Sequence, residues 1–520
     1  MIPATKDRVL VALVCGLCYV NFGGGVFHYD DFHSLVENPH VRSLANIPAF
    51  FADPTAFSAD VEKKMYRPLL LVTYALQYAV HGYEPLGFLL INLLLHIAAS
   101  LLVGALATAM LGVRQAGLAA ALFFAAHPLA TEPVNYISSR SESLAACFYL
   151  ATILCYWRDR RGAALSLFGL GMLVKSVVLT APIVLWASDR WLRREHRSWR
   201  IYAPFAGMGI AYLILISYNR FLTGSLAAPA RDWTTQFLTQ LKVPVYYVQL
   251  VASPWRLNVE HQFVEVADWG NAAVWAGGLF AASLGAVAWM GRRRMPGFAL
   301  LWSAVALLPT TLMPLNVLVN ERRLYLVVAA LALLVGYVHG RINYRWGYVW
   351  LACSMGLCLQ RNVAWKSDLR LWQDAVSKAP SMYRVQANLG KALQLNGSWD
   401  EALEAYGRAI ELDDRRVDAF NNMATIFHLQ GDIDRAIVWY GKALERDSGL
   451  EEVHHNLGDA YAQKGWHEQA VASYRRAINH DDSKGDTWSN YGLSLYAVGD
   501  LEGAETAYRR ASELLPDQAE

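Results

Sequence analysis

The sequence predicts an all-α protein in two parts, a polytopic bundle of transmembrane helices followed by a solenoid of helical repeats. Its 520 residues are 55% hydrophobic and 17% charged, which is too apolar for an ordinary soluble protein and too charged for one that lies wholly in a membrane. Apolar runs separated by short loops fill the chain up to residue 365, whereas the polar remainder repeats every 34 residues. We therefore expect a transmembrane domain over residues 1–365 and a repeat domain over residues 366–520.

Nine apolar runs have the composition of membrane spans. They lie at 10–26, 87–111, 115–127, 142–157, 201–218, 272–290, 297–316, 323–339 and 346–361. Three further segments are ambiguous and lie at 68–82, 162–188 and 237–253. Arginine-rich loops, which tend to stay in the cytoplasm, lie at 158–161, 190–200, 292–294 and 341–345. With these loops inside, 68–82 is an interfacial helix, 237–253 is interfacial or re-entrant, and 162–188 crosses twice, which gives about eleven spans.

The charge pattern also predicts an orientation in the membrane. Lys6 and Arg8 precede the first apolar run and keep the N-terminus in the cytoplasm. An odd number of spans then places the first long loop, residues 27–86, and the repeat domain together on the extracytoplasmic side. Because Gly23-Gly24-Gly25 is a poor cleavage site for a signal peptide, we expect the first run to be retained as an anchor. The compact size favours a bacterial inner membrane over an endoplasmic reticulum, with the repeats in the periplasm.

The periodicity of the C-terminal part has the spacing and residue types of a helix-turn-helix repeat. Its columns are Asn388/Asn422/Asn456/Asn490, Gly397/Gly431/Gly465/Gly499, Ala402/Ala436/Ala470/Ala504, Tyr406/Tyr440/Tyr474/Tyr508 and Ala409/Ala443/Ala477/Ala511. This pattern resembles the tetratricopeptide repeat (TPR), in which small residues allow close helix packing and large residues fill the gaps. Trp372 and Ala375 occupy the corresponding places one period earlier, which predicts a half repeat followed by four repeats.

The asparagine column is the candidate acceptor groove of the repeat domain. The first helix of each repeat lines the concave face of such a solenoid. The resemblance therefore implies that the column hydrogen-bonds the backbone of an extended peptide, through Asn388, Asn422, Asn456 and Asn490. The alternative, that these asparagines are tolerated and solvated, stays open. The predicted partner of the domain is a protein or peptide.

Two adjacent carboxylates, Asp30 and Asp31, directly follow the first span and open the first outer loop. Charged groups at a membrane boundary are costly, and they usually carry function or pair with one another. Arginine and lysine residues gather on the other outward loops, so both signs of charge meet on one side of the membrane. A carboxylate there can accept a proton from an attacking hydroxyl while the cations neutralise a phosphate leaving group. That chemistry is glycosyl transfer from a lipid phosphate.

Four motifs on the outward loops carry a resemblance to a known family. They are Tyr29-Asp30-Asp31, Tyr66-Arg67-Pro68-Leu69, His127-Pro128 with Thr131-Glu132, and Asn320-Glu321-Arg322-Arg323-Leu324-Tyr325. In their order and with the repeats behind them, they resemble the GT-C membrane glycosyltransferases, and within these the transmembrane-and-TPR-containing O-mannosyltransferases and their bacterial relatives. The resemblance implies a catalytic acidic motif in the first loop. It also implies a polyprenyl- or dolichyl-phosphate donor, with mannose as the candidate sugar, used with inversion to modify Ser or Thr of a protein.

The candidate site residues follow from this resemblance and from their place at the outer boundary. Asp30 and Asp31 are the candidate catalytic pair, one as base and one as orienter, with the assignment between them open. The candidates for binding the donor phosphate are Arg140, Lys175, Arg322 and Arg323. The further candidates for binding substrate are Arg67, His127, Glu132 and Glu321. The alternatives are purely structural roles: the aspartates cap a helix, His127 only ends its span, and Glu321 pairs internally with Arg322.

Other patterns bear on cofactors and rival functions. His28, His33 and His40 surround the aspartates at spacings that match no strong ligand pattern, so no obligatory metal is expected, while a divalent ion bridging carboxylate and phosphate stays open. A net charge of +2 without a persistent basic stripe argues against nucleic acid, and six cysteines within apolar runs imply no disulfide framework. The rivals are an O-antigen-ligase-like oligosaccharyltransferase, expected to use a large late outer loop, and a non-enzymatic membrane-anchored TPR scaffold.

Overall fold

The computed structural model describes residues 5–22, 25–60, 65–219, 230–339 and 344–515. Helices joined by loops make up this part of the chain, which confirms the predicted all-α fold. The chain divides into two compact units, Met1–Leu371 and Trp372–Glu520. The sequence placed the corresponding boundary between residues 365 and 366.

The helices of the first unit lie at the apolar runs. The α-helices of ten or more residues are Thr5–Cys18, Pro68–His81, Pro85–Leu111, Arg114–Ala126, Arg140–Trp157, Arg161–Met172, Ala203–Tyr218, Trp233–Ala252, Ala272–Met290, Met295–Leu312, Tyr325–Val338 and Tyr344–Ala364. The first ends at Cys18, before its predicted apolar run does. Among the described helices, three are long and apolar enough to cross a membrane, namely Pro85–Leu111, Ala272–Met290 and Met295–Leu312. The count of about eleven spans stays a prediction.

Small residues bring helices of the first unit close together. A Cβ atom on Gly117 would lie 2.7 Å from the carbonyl oxygen of Gly104, and one on Gly336 would lie 2.6 Å from the carbonyl oxygen of Ala116. Any larger residue at these places would push the helix backbones apart, which is why membrane helices that pack closely use glycine there.

The second unit consists of helix pairs with the predicted period. The first helices of the pairs are Tyr383–Leu395, Asp418–Leu429, Glu451–Gln463 and Gly485–Ala497. The second helices are Trp399–Leu412, Ile433–Arg446, His467–His480 and Leu501–Leu514. The helix Asp368–Lys378 precedes them, and its Trp372 and Ala375 are buried in the manner expected for the half repeat.

Glycine and tyrosine columns explain the packing within a repeat. The turns between paired helices are formed by glycines with φ between +77° and +88°, namely Gly397, Gly431, Gly465 and Gly499. A Cβ atom is strained in this left-handed conformation. Within the first helix of a pair, a Cβ atom on Gly390 would lie 2.7 Å from the ring of Tyr406, and Gly458 stands in the same relation to Tyr474 at 2.6 Å. The glycine therefore makes room for the buried tyrosine of the second helix.

We predict that two glycine-to-alanine substitutions in one repeat change its stability in opposite directions. Gly431→Ala forces a Cβ into the left-handed turn and should destabilise the repeat by about 1–2 kcal/mol. Gly441→Ala lies inside the helix Ile433–Arg446 with open space around the new Cβ, and it should stabilise the repeat by about 0.8–1 kcal/mol. Hydrogen exchange of these helices in the full chain, measured by mass spectrometry, should show weaker protection in Gly431→Ala and stronger protection in Gly441→Ala than in the wild type. Equal protection in both variants would contradict the assigned turn.

Candidate active site

Asp31 is the buried member of the acidic pair. One of its carboxylate oxygens accepts hydrogen bonds from the backbone N–H and the hydroxyl of Ser138, at 2.7 and 2.5 Å, and the other accepts the backbone N–H of His28 at 2.9 Å. The residue is fully buried, and burial raises the pKa of the Asp31 carboxyl to about 6. Both oxygens of Asp31 are thus bound within the protein, where they join the first outer loop to the loop at Ser138.

Asp30 is the accessible member of the pair, with half of its side chain exposed. One of its carboxylate oxygens lies 3.3 Å from His33 Nε2, and His33 Nδ1 lies 2.9 Å from the hydroxyl of Ser58. Partial burial raises the pKa of the Asp30 carboxyl, but the hydrogen bond with His33 and the charge of Arg322 outweigh it and hold that pKa below its ordinary value. Asp30 is therefore ionised at neutral pH and open to a ligand.

Arg322 contacts both Glu132 and the tyrosine that binds the backbone of Asp30. Its backbone N–H donates to one oxygen of the buried Glu132 carboxylate at 3.2 Å, and its Nε lies 3.7 Å from the other. Its guanidinium donates to the hydroxyl of Ser139 at 3.3 Å and lies 5.7 Å from the ring centre of Tyr136, whose own hydroxyl accepts the backbone N–H of Asp30. Burial lowers the pKa of Arg322, but the carboxylates of Glu132 and Asp30 raise it above its ordinary value. Arg322 therefore stays charged.

Two further cations, Lys175 and Arg67, lie around Glu142. Lys175 Nζ forms an ion pair with the Glu142 carboxylate, and the guanidinium of Arg67 donates to the neighbouring hydroxyl of Ser141 at 3.4 Å. Burial lowers the pKa of Lys175 to about 8, and the charges of Arg67 and Arg322 act in the same direction against that of Glu142. We call Arg67, Lys175 and Arg322 the cation group, because the positive charges of the two arginines lower the pKa of the lysine. Such a concentration of positive charge is typical of a phosphate site.

Arg140 and Arg323 lie outside the cation group. Arg140 is fully buried, and its guanidinium donates to the side chains of Asn92 and Thr73, at 2.8 and 3.3 Å, and to the carbonyl of Phe88 at 2.9 Å. The guanidinium of Arg323 donates to two carbonyls of the preceding loop at 2.8 and 2.7 Å. In this structure both arginines brace the backbone around the site, and neither joins the cations that surround Glu142.

Glu321 and His127 also contact neighbouring loops. Glu321 is buried, accepts the backbone N–H of Asn258, and lies 3.2 Å from His261 Nε2 and 3.8 Å from a guanidinium nitrogen of Arg361. The imidazole of His127 is buried and accepts a backbone N–H two residues further along at 3.3 Å. Glu321 thus anchors the turn that carries Arg322 into the site. His127 caps a short turn.

Three residues to which the sequence analysis gave no role hold the acidic pair and the cations in place, namely Tyr136, Ser138 and Glu142. His33, which the sequence analysis considered only as a metal ligand, contacts Asp30. The polar run of residues 138–142 before an apolar helix was the available signal. Its pairing with the acidic loop was hidden, because Asp31 and Ser138 are 107 positions apart in the chain.

The asparagine column of the repeats is half-buried and makes hydrogen bonds within the solenoid. The amide of Asn456 donates to the side chain of Asn421 in the preceding repeat at 3.4 Å, and that of Asn490 donates to Asp459 in the preceding repeat at 3.0 Å. The column therefore helps to connect successive repeats in this structure. Its contact with a peptide stays a prediction.

Comparison with known proteins places both parts of the chain. Two families described as TPR repeat and tetratricopeptide repeat match residues 390–431 and 424–465, and residues 451–482, respectively. Protein O-mannosyl-transferase Tmtc2 of Drosophila melanogaster is 30% identical over 291 residues, which are 49% of this chain and 29% of that protein. Protein O-mannosyl-transferase F38B6.6 of Caenorhabditis elegans is 24% identical over 403 residues, 71% of this chain and 57% of that protein. The chain thus spans less than two thirds of either relative.

Two solved structures are similar to about a third of this chain. The crystal structure of MamA is 18% identical, covers 31% of this chain and 92% of its own, and has a TM-score of 0.28. That of YrrB, described as a TPR protein with an unusual peptide-binding site, is 17% identical, covers 33% of this chain and 87% of its own, and has a TM-score of 0.27. The predicted resemblance is confirmed by the sequence matches: this chain resembles the TMTC protein O-mannosyl-transferases and carries tetratricopeptide repeats in its C-terminal part.

Proposed function

We propose that this chain is an inverting glycosyltransferase that moves a sugar, with mannose as the candidate, from a polyprenyl- or dolichyl-phosphate carrier to a Ser or Thr hydroxyl of a protein. One observation carries the proposal: the half-exposed Asp30 donates its backbone N–H to the hydroxyl of Tyr136, and the guanidinium of Arg322, a member of the cation group, lies 5.7 Å from the ring centre of the same tyrosine. A proton acceptor and a phosphate-binding group are the two parts that this reaction needs. The names of the fly and worm relatives, both protein O-mannosyl-transferases, support the same reaction class.

Asp30 is the base in the proposed reaction. The acceptor hydroxyl attacks the anomeric carbon of the sugar while the bond from that carbon to the phosphate oxygen breaks. The phosphate leaves with the electron pair of the broken bond, and attack from the opposite side inverts the configuration. A carboxylate as weakly basic as Asp30 takes the hydroxyl proton only as the new bond forms, when the hydroxyl has become acidic. His33, bound to Ser58, fixes the direction of the Asp30 carboxylate.

The cation group receives the leaving phosphate. Negative charge grows on the phosphate as its bond to the sugar breaks, and fixed positive charges in a water-poor site stabilise that growth. Before the donor binds, the carboxylates of Glu132 and Glu142 compensate Arg322 and Lys175. Arg140 and Arg323 take no part in this proposal, because their guanidinium groups are bound to other parts of the protein.

We predict that donor binding weakens above about pH 8, because Lys175 then loses its positive charge. Burial lowers the pKa of Lys175 to about 8, so the charge is present below that pH and absent above it. The KM for the lipid donor should therefore rise several-fold between about pH 7 and about pH 9. Lys175→Arg should keep the low KM across this range, because guanidinium does not lose its proton there. A KM that rises equally in both proteins would contradict the role of Lys175.

We further propose an outward orientation for the whole site. The first outer loop, the cation group and the repeats face the extracytoplasmic side of a membrane, with the bacterial inner membrane as the expected location. The basic loops 158–161, 190–200 and 292–294 support this orientation. The repeats present a protein or peptide acceptor, because helical solenoids offer extended binding surfaces.

A transfer assay tests this function. The purified full chain in nanodiscs would be incubated with radiolabelled polyprenyl-phosphate mannose and a membrane protein fraction, and label in protein would be counted. We expect label on Ser or Thr for the wild type and background label for Asp30→Asn. Glu37→Gln, which changes an exposed carboxylate of the same loop, serves as the matched control and should transfer normally. Equal transfer by wild type and Asp30→Asn would refute the catalytic assignment.

A further inference from the structure

The helix Trp233–Ala252, which we call the outer helix, buries polar and apolar side chains alike and leaves several large apolar side chains exposed. Its buried residues include the polar side chains Thr235, Gln236, Thr239 and Gln240. Its exposed residues include Trp233, Phe237 and Val248, which are 51%, 54% and 45% exposed, and the turn that follows adds Trp255 at 60%. The spacing of these exposed residues places them on one face. Water is a poor solvent for such a face, whereas lipid is a good one.

The buried polar side chains explain why the outer helix is held with this face outward. Gln236 Nε2 donates to the carbonyls of Thr311 and Met313 at 2.9 and 3.2 Å. The hydroxyl of Thr239 accepts the backbone N–H of Val266 at 2.9 Å. These bonds join the outer helix to the backbone of residues 266, 311 and 313, so the helix cannot rotate its apolar face inward without losing them.

Both ends of the outer helix contact the same side of the bundle. Ala272–Met290 and Met295–Leu312 are each long and apolar enough to cross a membrane, and a turn of four residues joins them. The segment before Ala272–Met290 and the segment after Met295–Leu312 therefore lie on the same side of the membrane. Near the start of the outer helix, Arg231 donates to the carbonyl of Leu315 at 2.9 Å. Near its end, the hydroxyl of Tyr247 accepts the backbone N–H of residue 320 at 3.5 Å.

The outer helix crosses Ala272–Met290 close to the start of that membrane-length helix. A Cβ atom on Gly277 would lie 2.3 Å from the carbonyl oxygen of Leu241, so the two helices touch there. Gly277 lies five residues inside its helix, which is about 8 Å from the helix end. That distance is typical of helices that lie in the membrane interface. Trp269, whose ring centre is 6.1 Å from that of Phe237, adds to an aromatic group at this level.

We propose that the outer helix lies in one membrane leaflet and that its face of Trp233, Phe237, Val248 and Trp255 contacts phospholipid. The occupant is lipid because this face continues onto Ala272–Met290, a membrane-length helix whose Trp275 and Leu279 are 57% and 70% exposed. The sequence predicts that residues 237–253 are either interfacial or re-entrant. In this proposal they belong to an interfacial helix with a defined lipid-facing side. This proposal does not depend on the glycosyltransferase function.

Spin labels on single cysteines test the proposal in nanodiscs of phosphatidylcholine and phosphatidylglycerol. Phe237→Cys and Val248→Cys report on the exposed apolar face, and Gln262→Cys, at an exposed polar residue of the neighbouring loop, is the matched control. All are made in a Cys353→Ala background, because Cys353 is the exposed cysteine in the described part of the chain. Collision rates with oxygen, which concentrates in lipid, and with a water-soluble nickel chelate are measured for each label.

The expected result is an oxygen-to-nickel ratio several-fold higher at residues 237 and 248 than at residue 262. Ratios like that of residue 262 would mean that the face lies in water and would overturn the proposal. Low collision rates with both reagents at residues 237 and 248 would mean that protein, such as a second copy of the chain, covers the face, and would overturn it equally. Two independent label positions keep the test decisive if one variant misfolds.

Discussion

Asp30→Asn is expected to lower the rate of sugar transfer by about 10²–10⁴-fold, the usual contribution of a general base, while leaving the folded protein intact. The substitution removes the proton acceptor but keeps the shape of the side chain. Asp30 is half exposed, so its loss leaves no buried donor without a partner. The rate is measured as label transferred per unit time at saturating donor, and folding is measured by thermal unfolding of the same preparation.

Asp31→Asn is the contrasting variant. The buried Asp31 carboxylate accepts three hydrogen bonds, and an amide NH₂ group in its place would face at least one N–H donor. This change should destabilise the outer loop by about 1–3 kcal/mol and reduce activity through folding. The two variants thus separate the base from the residue that positions it. A result in which Asp31→Asn abolishes transfer at normal stability, while Asp30→Asn remains active, would reverse the assignment.

Arg322→Gln is expected to produce the second-largest loss, about 10²–10³-fold in the rate of transfer, as is usual when a charge-stabilising group is removed. Arg322 is the member of the cation group that shares a contact with Asp30, since both lie against Tyr136, and in the proposed reaction its charge meets the phosphate oxygen that leaves the sugar. Arg322→Lys keeps the charge but loses the fork geometry, and it should recover part of the rate. Initial rates across donor concentrations measure both effects.

Two controls accompany the Arg322 variants. Arg256→Gln removes an exposed arginine from the loop after the outer helix and should transfer at the wild-type rate. Arg322→Gln combined with Glu132→Gln removes the ion pair as a unit, so the buried Glu132 is not left charged without its partner. If the double variant regained the wild-type rate, the loss in Arg322→Gln would stem from an unpaired Glu132 rather than from a missing phosphate contact.

Much of the fold could be predicted from the sequence because its signals are local. A run of apolar residues predicts a helix wherever it lies, and the helices Pro85–Leu111 and Arg114–Ala126 lie close to their predicted bounds. The repeat period predicts each turn glycine, and Gly397 shows the left-handed φ that a turn requires. Hydropathy alone predicts the end of a helix poorly: the first apolar run extends to residue 26, whereas the helix Thr5–Cys18 ends earlier.

The site was less predictable because its contacts are not local. Adjacent aspartates could be recognised as unusual, but their division into a buried Asp31 and an exposed Asp30 depends on Ser138, far away in the chain. The roles of Arg140 and Arg67 were also not predictable from the sequence, because they depend on distant contacts. Loop position placed Arg140 at the outer boundary, yet its contacts with Asn92 and Phe88 bury it completely, while Arg67 joins the other cations. Burial and partners decide such roles, and sequence patterns do not report them.

In the proposed reaction, Asp30 and the cation group act on one sugar phosphate. A structure of the full chain in nanodiscs with a non-hydrolysable polyprenyl-phosphonate mannose tests it most directly. We predict the phosphonate within hydrogen-bond distance of Arg322 and Lys175, near Arg67, with the anomeric carbon on the side of Asp30. A phosphonate bound away from the cation group, with the Asp30 carboxylate out of contact with the sugar, would contradict the proposed roles of Asp30 and the cation group.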